Sequence, residues 1–502
     1  MNKFFSLLLS FLKIGFIGFG GGSALIPIIE EEIVVKKKLL KEEDYNDYVI
    51  VANITSGTLP VKLAAASGKK IFGLPGMLGA ALMVSLPGVL ITVFLVSILS
   101  QLDENVVTQI KFASVGISVF IIMILFNYIK KVLNGCKEIN NFIGGFIVVL
   151  LTFFLTAGKE INNILGLNHT PIFDISTINL LLLAFFIIFF TEGKLTPVRG
   201  TITGIISVLF VLCAGKANII ANEQLFTAIK LCMLVLSCYS TYRSMIKSKG
   251  REEKYHKPQK HMSSKASKLG VKDDKKDKMS FTGLISEEVT WIVFLILMSV
   301  PVIFVMSGVG SYLKNGLLST VISFGGGEAY ITIAETIFVS NNSIPSDVFY
   351  GQVLPIANAL PGPILSKVLS AIGYYIAFSA TQSVGVGYLL AIMGYAASIA
   401  ASCGVFSLIM YIYSRFESLE LFQTLKRWIL PINSGLLLTT VLSMLNENFN
   451  IVLEHDGTIL IAIIISAVTF ALLVFLHKKY HLHDIKLILI SGVITLGVCN
   501  LL

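Results

Sequence analysis

The sequence predicts an all-α polytopic membrane protein made of two inverted-topology repeats with broken or re-entrant helices, and three observations carry that reading. The 502 residues are 55% hydrophobic and 14% charged, with a mean hydropathy of +0.81. Many apolar runs approach the ~20 residues that a helix needs to cross a bilayer core. Such runs span as helices, because backbone groups in lipid must be satisfied within their own segment. Next, Phe19-Gly20-Gly21-Gly22 returns 305 positions later as Phe324-Gly325-Gly326-Gly327, and the offset holds without a gap over residues 19–68, where 16 of 50 residues are identical to their partners. Finally, Lys and Arg gather in alternate loops, as expected of cytoplasmic loops between spans.

The matched pairs include Ala24/Ala329, Ile26/Ile331, Glu30/Glu335, Tyr45/Tyr350, Asn53/Asn358, Gly57/Gly362, Lys62/Lys367 and Gly68/Gly373. Chance supplies Ile and Ala matches between apolar sequences. It does not set Glu, Asn and Lys in register with a triple glycine, so the chain is two copies of one unit. The expected organisation is a first repeat at 1–215, a connecting span at 216–242, a basic cytoplasmic linker at 243–280, a second connecting span at 281–310 and a second repeat at 311–502.

In chain order, residues 4–34 are apolar on both sides of the first triplet. Each glycine costs about 1 kcal/mol in a helix relative to Ala, so two half-helices are expected to meet at Gly20–Gly22. A charged stretch, Glu30 to Asp47, leads to a second broken segment at 48–70, interrupted by Asn53, Ser56-Gly57-Thr58, Pro60 and Lys62. Spans are expected near 77–100, 112–129, 141–158, 176–191, 200–215 and 225–242. Residues 243–280 are polar and basic and read as a disordered tether. A span at 289–309 leads to the second broken pair, 313–339 and 347–378, and four more follow near 385–413, 428–446, 458–476 and 487–502.

Basic residues concentrate at 36–41, 69–70, 130–137, 194–199, 243–280, 415–427 and 478–486, and are sparse at 101–110, 160–175, 217–224, 340–350, 379–384 and 446–457. If each broken segment enters and leaves on one face, the first pair opens on the cytoplasmic side and the second on the opposite side. The copies are then related by inversion. A full crossing by residues 4–34 would put the N-terminus outside and change the count.

Inverted repeats with interrupted helices are a transporter design whose site lies where the broken ends meet. Bare N–H groups at half-helix starts favour anions, and Gly20, Gly21, Gly22, Gly325, Gly326 and Gly327 supply such ends twice. Lys62 and Lys367 are matched cations in apolar sequence. A lysine at bilayer centre costs about 2.5–3.5 kcal/mol on insertion scales and needs a partner or water. The pair suits an anion pocket; snorkelling to the surface is the plainer alternative. Asn53 and Asn358 suit amide donation to oxyanion oxygens or capping of the next half-helix, and Gly57 and Gly362 are counted with them among the substrate-binding residues. Glu30, in a Glu-Glu-Glu run near Lys36, reads as an ion-pairing residue. Glu335 has no basic neighbours in sequence and is the proton-coupling candidate.

The net charge of +9 reads as cytoplasmic loops on a lipid bilayer, and no nucleic-acid partner is expected. The six cysteines are scattered without metal spacing, and His477, His481, His483 and Asp484 read as interfacial groups. Neither a cofactor motif nor a nucleophile–base arrangement is present, so no enzyme is read. Phe4 to Leu12 is similar to a signal-peptide core, but Lys13 interrupts it and no cleavage pattern follows.

The triplets, followed by Ala359-Leu360-Pro361-Gly362-Pro363, resemble the chromate ion transporter family, whose long members carry two homologous halves. The resemblance covers residues 4–215 and 311–502. It implies a carrier that exports chromate, with sulfate as the related oxyanion, and carries over to Phe19–Gly22, Phe324–Gly327 and Pro361-Gly362-Pro363. In the first copy Ser56-Gly57-Thr58 stands in place of Pro-Gly-Pro. The expectation is a secondary transporter of the bacterial-type inner (plasma) membrane working by alternating access, with an oxyanion carrier lacking a chromate role, or an anion channel, as alternatives. Oligomeric state is not legible.

Overall fold

In the first copy described helices lie on either side of the glycine triplet. The computed structural model describes residues 3–17, 25–102, 104–138, 140–167, 169–171, 173–191, 196–215, 220, 222–255, 279–324, 327–415, 420–455, 457–480, 482 and 484–501. Helix α1 (Lys3–Ile17) precedes the first triplet, and α2 (Leu25–Glu30) continues into a π-helical stretch, Glu31–Lys36. Helix α3 (Glu42–Ile54) opens with Glu42, Glu43 and Asp44, acidic groups favoured at the positive end of a helix. After a four-residue turn, α4 (Leu59–Leu99) starts with Pro60 in its first turn, where no N–H is missed.

Helices α5 (Glu104–Glu138), α6 (Phe142–Thr156), α7 (Gly158–Leu165), α8 (Thr177–Thr191), α9 (Pro197–Ala214), α10 (Glu223–Tyr255) and α11 (Phe281–Ile303) follow. The second copy then repeats the opening order. Helix α12 (Val309–Val321) leads to the second triplet, and α13 (Gly327–Ala334) runs into a π-helical stretch, Glu335–Val339. The short helices α14 (Ser346–Val348) and α15 (Leu354–Ala359) flank another, Phe349–Val353. Helices α16 (Ile364–Thr381), α17 (Val384–Tyr413), α18 (Glu420–Leu453), α19 (Ile459–Tyr480) and α20 (Asp484–Cys499) complete the chain.

Among the described residues nine helices are long and apolar enough to cross a membrane, or ten if α6 and α7, bent by 64° at Ala157, form one span. The chain is an all-α polytopic membrane protein. Two features differ from the sequence reading. Helix α10 runs through Tyr255, into the stretch expected to be a disordered tether. Extending an existing helix avoids the cost of nucleation, and Lys, Arg and Glu are good helix formers. Residues 256–278 of that tether lie outside the described residues. Helix α4 is longer than the expected span and is broken internally at Phe72 and Gly73, where φ at Gly73 is +63°. Its two parts occupy the places that α16 and α17 hold in the second copy.

One buried apolar cluster runs through both copies, from Leu7 and Phe11 of α1 to Leu437 and Met444 of α18. Helix α4 packs on α16 and α17, α5 on α18 and α20, and α11 on α17. The halves therefore share a core.

Candidate functional site

The two copies meet at their turns. Gly57, between α3 and α4, has φ +88°, and Gly362, at the matching place between α15 and α16, has φ +92°. Only glycine takes this left-handed conformation without strain, which explains why it survives where the flanking residues diverge from Ser/Thr to Pro/Pro. The turn of the first copy is bound to the second copy. Gly57 N donates to the Ser323 carbonyl at 2.7 Å, and Thr58 N donates to Ser402 Oγ of α17 at 2.9 Å. In return, Gly362 lies against Gly88 of α4 and the Gly15 carbonyl of α1.

Both lysines are buried, Lys62 at 0% and Lys367 at 1% exposure, so neither snorkels. Each reaches back to the end of the half-helix before it. Lys62 Nζ donates to the carbonyls of Ala52 (2.7 Å), Thr55 (3.0 Å) and Ser56 (3.1 Å) and lies 3.0 Å from Thr55 Oγ1. Those carbonyls form the negative end of α3, and they occupy all three N–H bonds of the ammonium. Lys367 Nζ donates to the Leu360 carbonyl at 2.5 Å, its one hydrogen bond among the described residues. Its stem runs past Gly88 of the first copy, where an added Cβ would sit 3.2 Å from Lys367 Cδ.

The matched asparagines adopt one geometry. Asn53 Nδ2 donates to the Val49 carbonyl (2.7 Å) and Asn358 Nδ2 to the Leu354 carbonyl (2.9 Å), each one turn back in its own helix. Gly20, Gly21, Gly22, Gly325 and Gly326 lie outside the described residues, as do His481 and His483. Gly327 begins α13 and packs on Ile364 at the start of α16, which an added Cβ would meet at 3.0 Å. The approach to the second triplet is held from two sides: Asn433 of α18 donates its amide to the Phe324 carbonyl, and the Phe324 ring lies 4.9 Å from that of Phe185.

Glu335 stands where α13 loosens into its π-helical stretch, a distortion frequent at functional sites. Its Oε1 accepts from Ser443 Oγ of α18 at 2.7 Å. Around it Thr336 pairs with Thr177 (2.8 Å), Thr156 with Thr439 (2.8 Å), and Thr332 with Thr440. The ion pairs expected of Glu30 are made by its neighbours instead: Glu31 to Lys36 (3.4 Å) and Glu32 to Lys37 (3.7 Å). Glu30 ends α2, whereas the next two residues begin the π-helical stretch that turns toward the lysines.

Sequence reasoning missed Ser402 and Asn433, which meet the motif residues through tertiary contacts, and Ser323, which stands next to Phe324 but meets Gly57 the same way. Two buried hydroxyls stand beside the turn, that of Ser56, in the Ser-Gly-Thr run already singled out in the sequence, and that of Ser323. Among the described residues Ser56 Oγ and Ser323 Oγ, both on residues of 0% exposure, have no hydrogen-bond partner, and they flank the Gly57–Ser323 bond. A buried hydroxyl without a partner costs about 1–3 kcal/mol, so two at one junction mark a place where an acceptor is wanted. A tetrahedral oxyanion offers several.

The chromate transporter family model matches residues 5–215 and 311–496, one stretch in each copy. An uncharacterized transporter of Bacillus subtilis (strain 168), YwrB, is 26% identical over 125 residues, covering 24% of this chain and 64% of the relative. The chain thus spans just under two thirds of that relative's length. No solved structure matches.

Proposed function

From the premise that this chain belongs to the chromate transporter family, we propose that it is a secondary transporter exporting chromate, a tetrahedral divalent oxyanion, across a bacterial-type inner membrane. The substrate sits at the junction of the two copies, between the turns at Gly57 and Gly362. Lys367, whose one described hydrogen bond goes to the Leu360 carbonyl, supplies an ammonium, and Gly20–Gly22, Gly325–Gly327, Asn53 and Asn358 are the further ligands of this proposal. Lys62, its N–H bonds already taken, holds the end of α3 in place beside the site and contributes charge. The copies are inverted in the membrane, 1–215 against 311–502, and alternate in exposing the site to either side. Glu335, in its nest of hydroxyls, carries the coupling proton.

The observation that carries this reading is the pair of unpartnered buried hydroxyls, Ser56 and Ser323, at the point where the copies touch backbone to backbone. Export also follows the electrical gradient. Moving a dianion outward gains roughly 2 × 2.3 kcal/mol per 100 mV of inside-negative potential. A sulfate or other oxyanion carrier is the second reading, since the junction recognises oxygens and charge. Competition for labelled chromate uptake into inverted vesicles by sulfate, molybdate and phosphate tests it. Retention of chromate uptake against equimolar sulfate is expected; its loss to equimolar sulfate would move the assignment to sulfate.

A further inference from the structure

A cavity of about 530 Å3 opens where the α4–α5 connection of the first copy meets the tip of α14 and the end of α16 in the second. It lies by the loops at 101–110, 340–350 and 379–384, all poor in Lys and Arg, the side opposite the basic loops. Its walls carry Thr108 and Lys111 of α5, Asp347 and Gln352 of the re-entrant tip, and Tyr375 of α16. Lys111 Nζ lies 3.1 Å from Asp347 Oδ2 and 3.8 Å from Glu454 Oε2, so the pair with Asp347 ties one copy to the other. Glu447 accepts from Ser346 Oγ, next to Asp347, at 2.5 Å. One ammonium thus faces two carboxylates.

Gln352 is 8% exposed and lines the cavity, with its amide free to meet water or a solute there. Its Nε2 and the Lys111 ammonium are donors suited to oxygen acceptors, and the hydroxyls of Thr108 and Tyr375 add two more. The carboxylates oppose any anion that arrives, and at these distances, well inside a Debye length, salt screens them little.

We propose that this cavity is a second, weak oxyanion station at the outer end of the path, with Lys111 and Gln352 as its ligands. Asp347 and Glu454 hold its affinity down, so that an anion delivered from the junction leaves and does not re-enter. The inference rests on the transport reading above. It gives the two ends of the path unlike charge: basic loops where the anion is collected, an acidic mouth where it departs.

The test uses the full chain in right-side-out and inverted vesicles, with labelled chromate as the probe. Asp347→Asn should lower the half-saturating concentration from the outer side by about fivefold, the scale of one exposed ion pair, and leave that from the inner side unchanged. Glu454→Gln, at a more exposed carboxylate, should act in the same direction with smaller size and guards against a folding defect in the first variant. Adding Lys111→Gln to Asp347→Asn should cancel the gain. An unchanged outer half-saturation in both single variants, or a gain that survives Lys111→Gln, overturns the inference while the transport reading stands. A wild-type protein that moves no oxyanion in either vesicle overturns both.

Discussion

At the scale of single residues, Gly57 and Gly362 share a backbone conformation but not surroundings. An added Cβ at Gly57 would run into Ser402, whereas at Gly362 the nearest atoms are 3.7 Å away. Gly362→Ala should therefore cost only the strain of a left-handed alanine, about 1–2 kcal/mol. Gly57→Ala should cost clearly more and loosen the seat on Ser323, as read by thermal unfolding of the purified protein in detergent. Equal losses would mean that the turn of the first copy is not packed on α17. The lysines divide in a similar way. Lys62→Ala strands three carbonyls of the α3 end and should destabilise the protein by about 3 kcal/mol or more. Lys367→Ala strands one, so its stability loss should be smaller and its transport loss the larger. The same melting experiment beside an uptake assay separates the two. The sequence made these positions visible through the repeat: a glycine and a lysine in register pointed to matched turns and matched buried cations. It did not reveal that Lys62 spends its hydrogen bonds on its own helix end, because that depends on the turn's geometry. Ser323 and Ser402 were hidden for a related reason, being partners of a motif that lies hundreds of residues away.

At the scale of elements, the turns at Gly57 and Gly362 were legible because glycine and proline act locally on the backbone. The π-helical stretches at Glu31–Lys36 and Glu335–Val339 were not, since no residue type enforces them. The place of α11 was equally hidden. It docks on α17 through Glu287, 4% exposed, which pairs with Lys69 of α4 and accepts from Ser407 Oγ at 2.6 Å. This pair joins the connecting span to both copies. Removing one partner of a buried pair leaves a stranded charge, worth about 3–5 kcal/mol. Lys69 is one-third exposed, so Lys69→Met should cost about 2–4 kcal/mol after allowance for solvent screening. Lys69→Met with Glu287→Met should recover most of it. A double variant no better than the single one in the melting experiment would show that the contact of α11 with α17 does not depend on the pair.

At the scale of the whole molecule, the two copies share one core, and each seats its turn against the other. The proposed inversion adds that Lys38 and Ser343, at matching places in the repeat, lie on opposite faces of the membrane. Single cysteines there should react with an impermeant thiol reagent from opposite sides, and labelling from the same side would end the inverted arrangement. A carrier with such a site exchanges its substrate across the membrane, whereas a pore does not. The most direct measurement is chromate counterflow in vesicles bearing the wild-type chain or Lys367→Ala. The account predicts saturable entry of labelled chromate that is accelerated by unlabelled chromate on the far side, and loss of that exchange in a Lys367→Ala protein that still inserts and melts cooperatively. Flux that neither saturates nor responds to the far side, or full exchange in the variant, would contradict it.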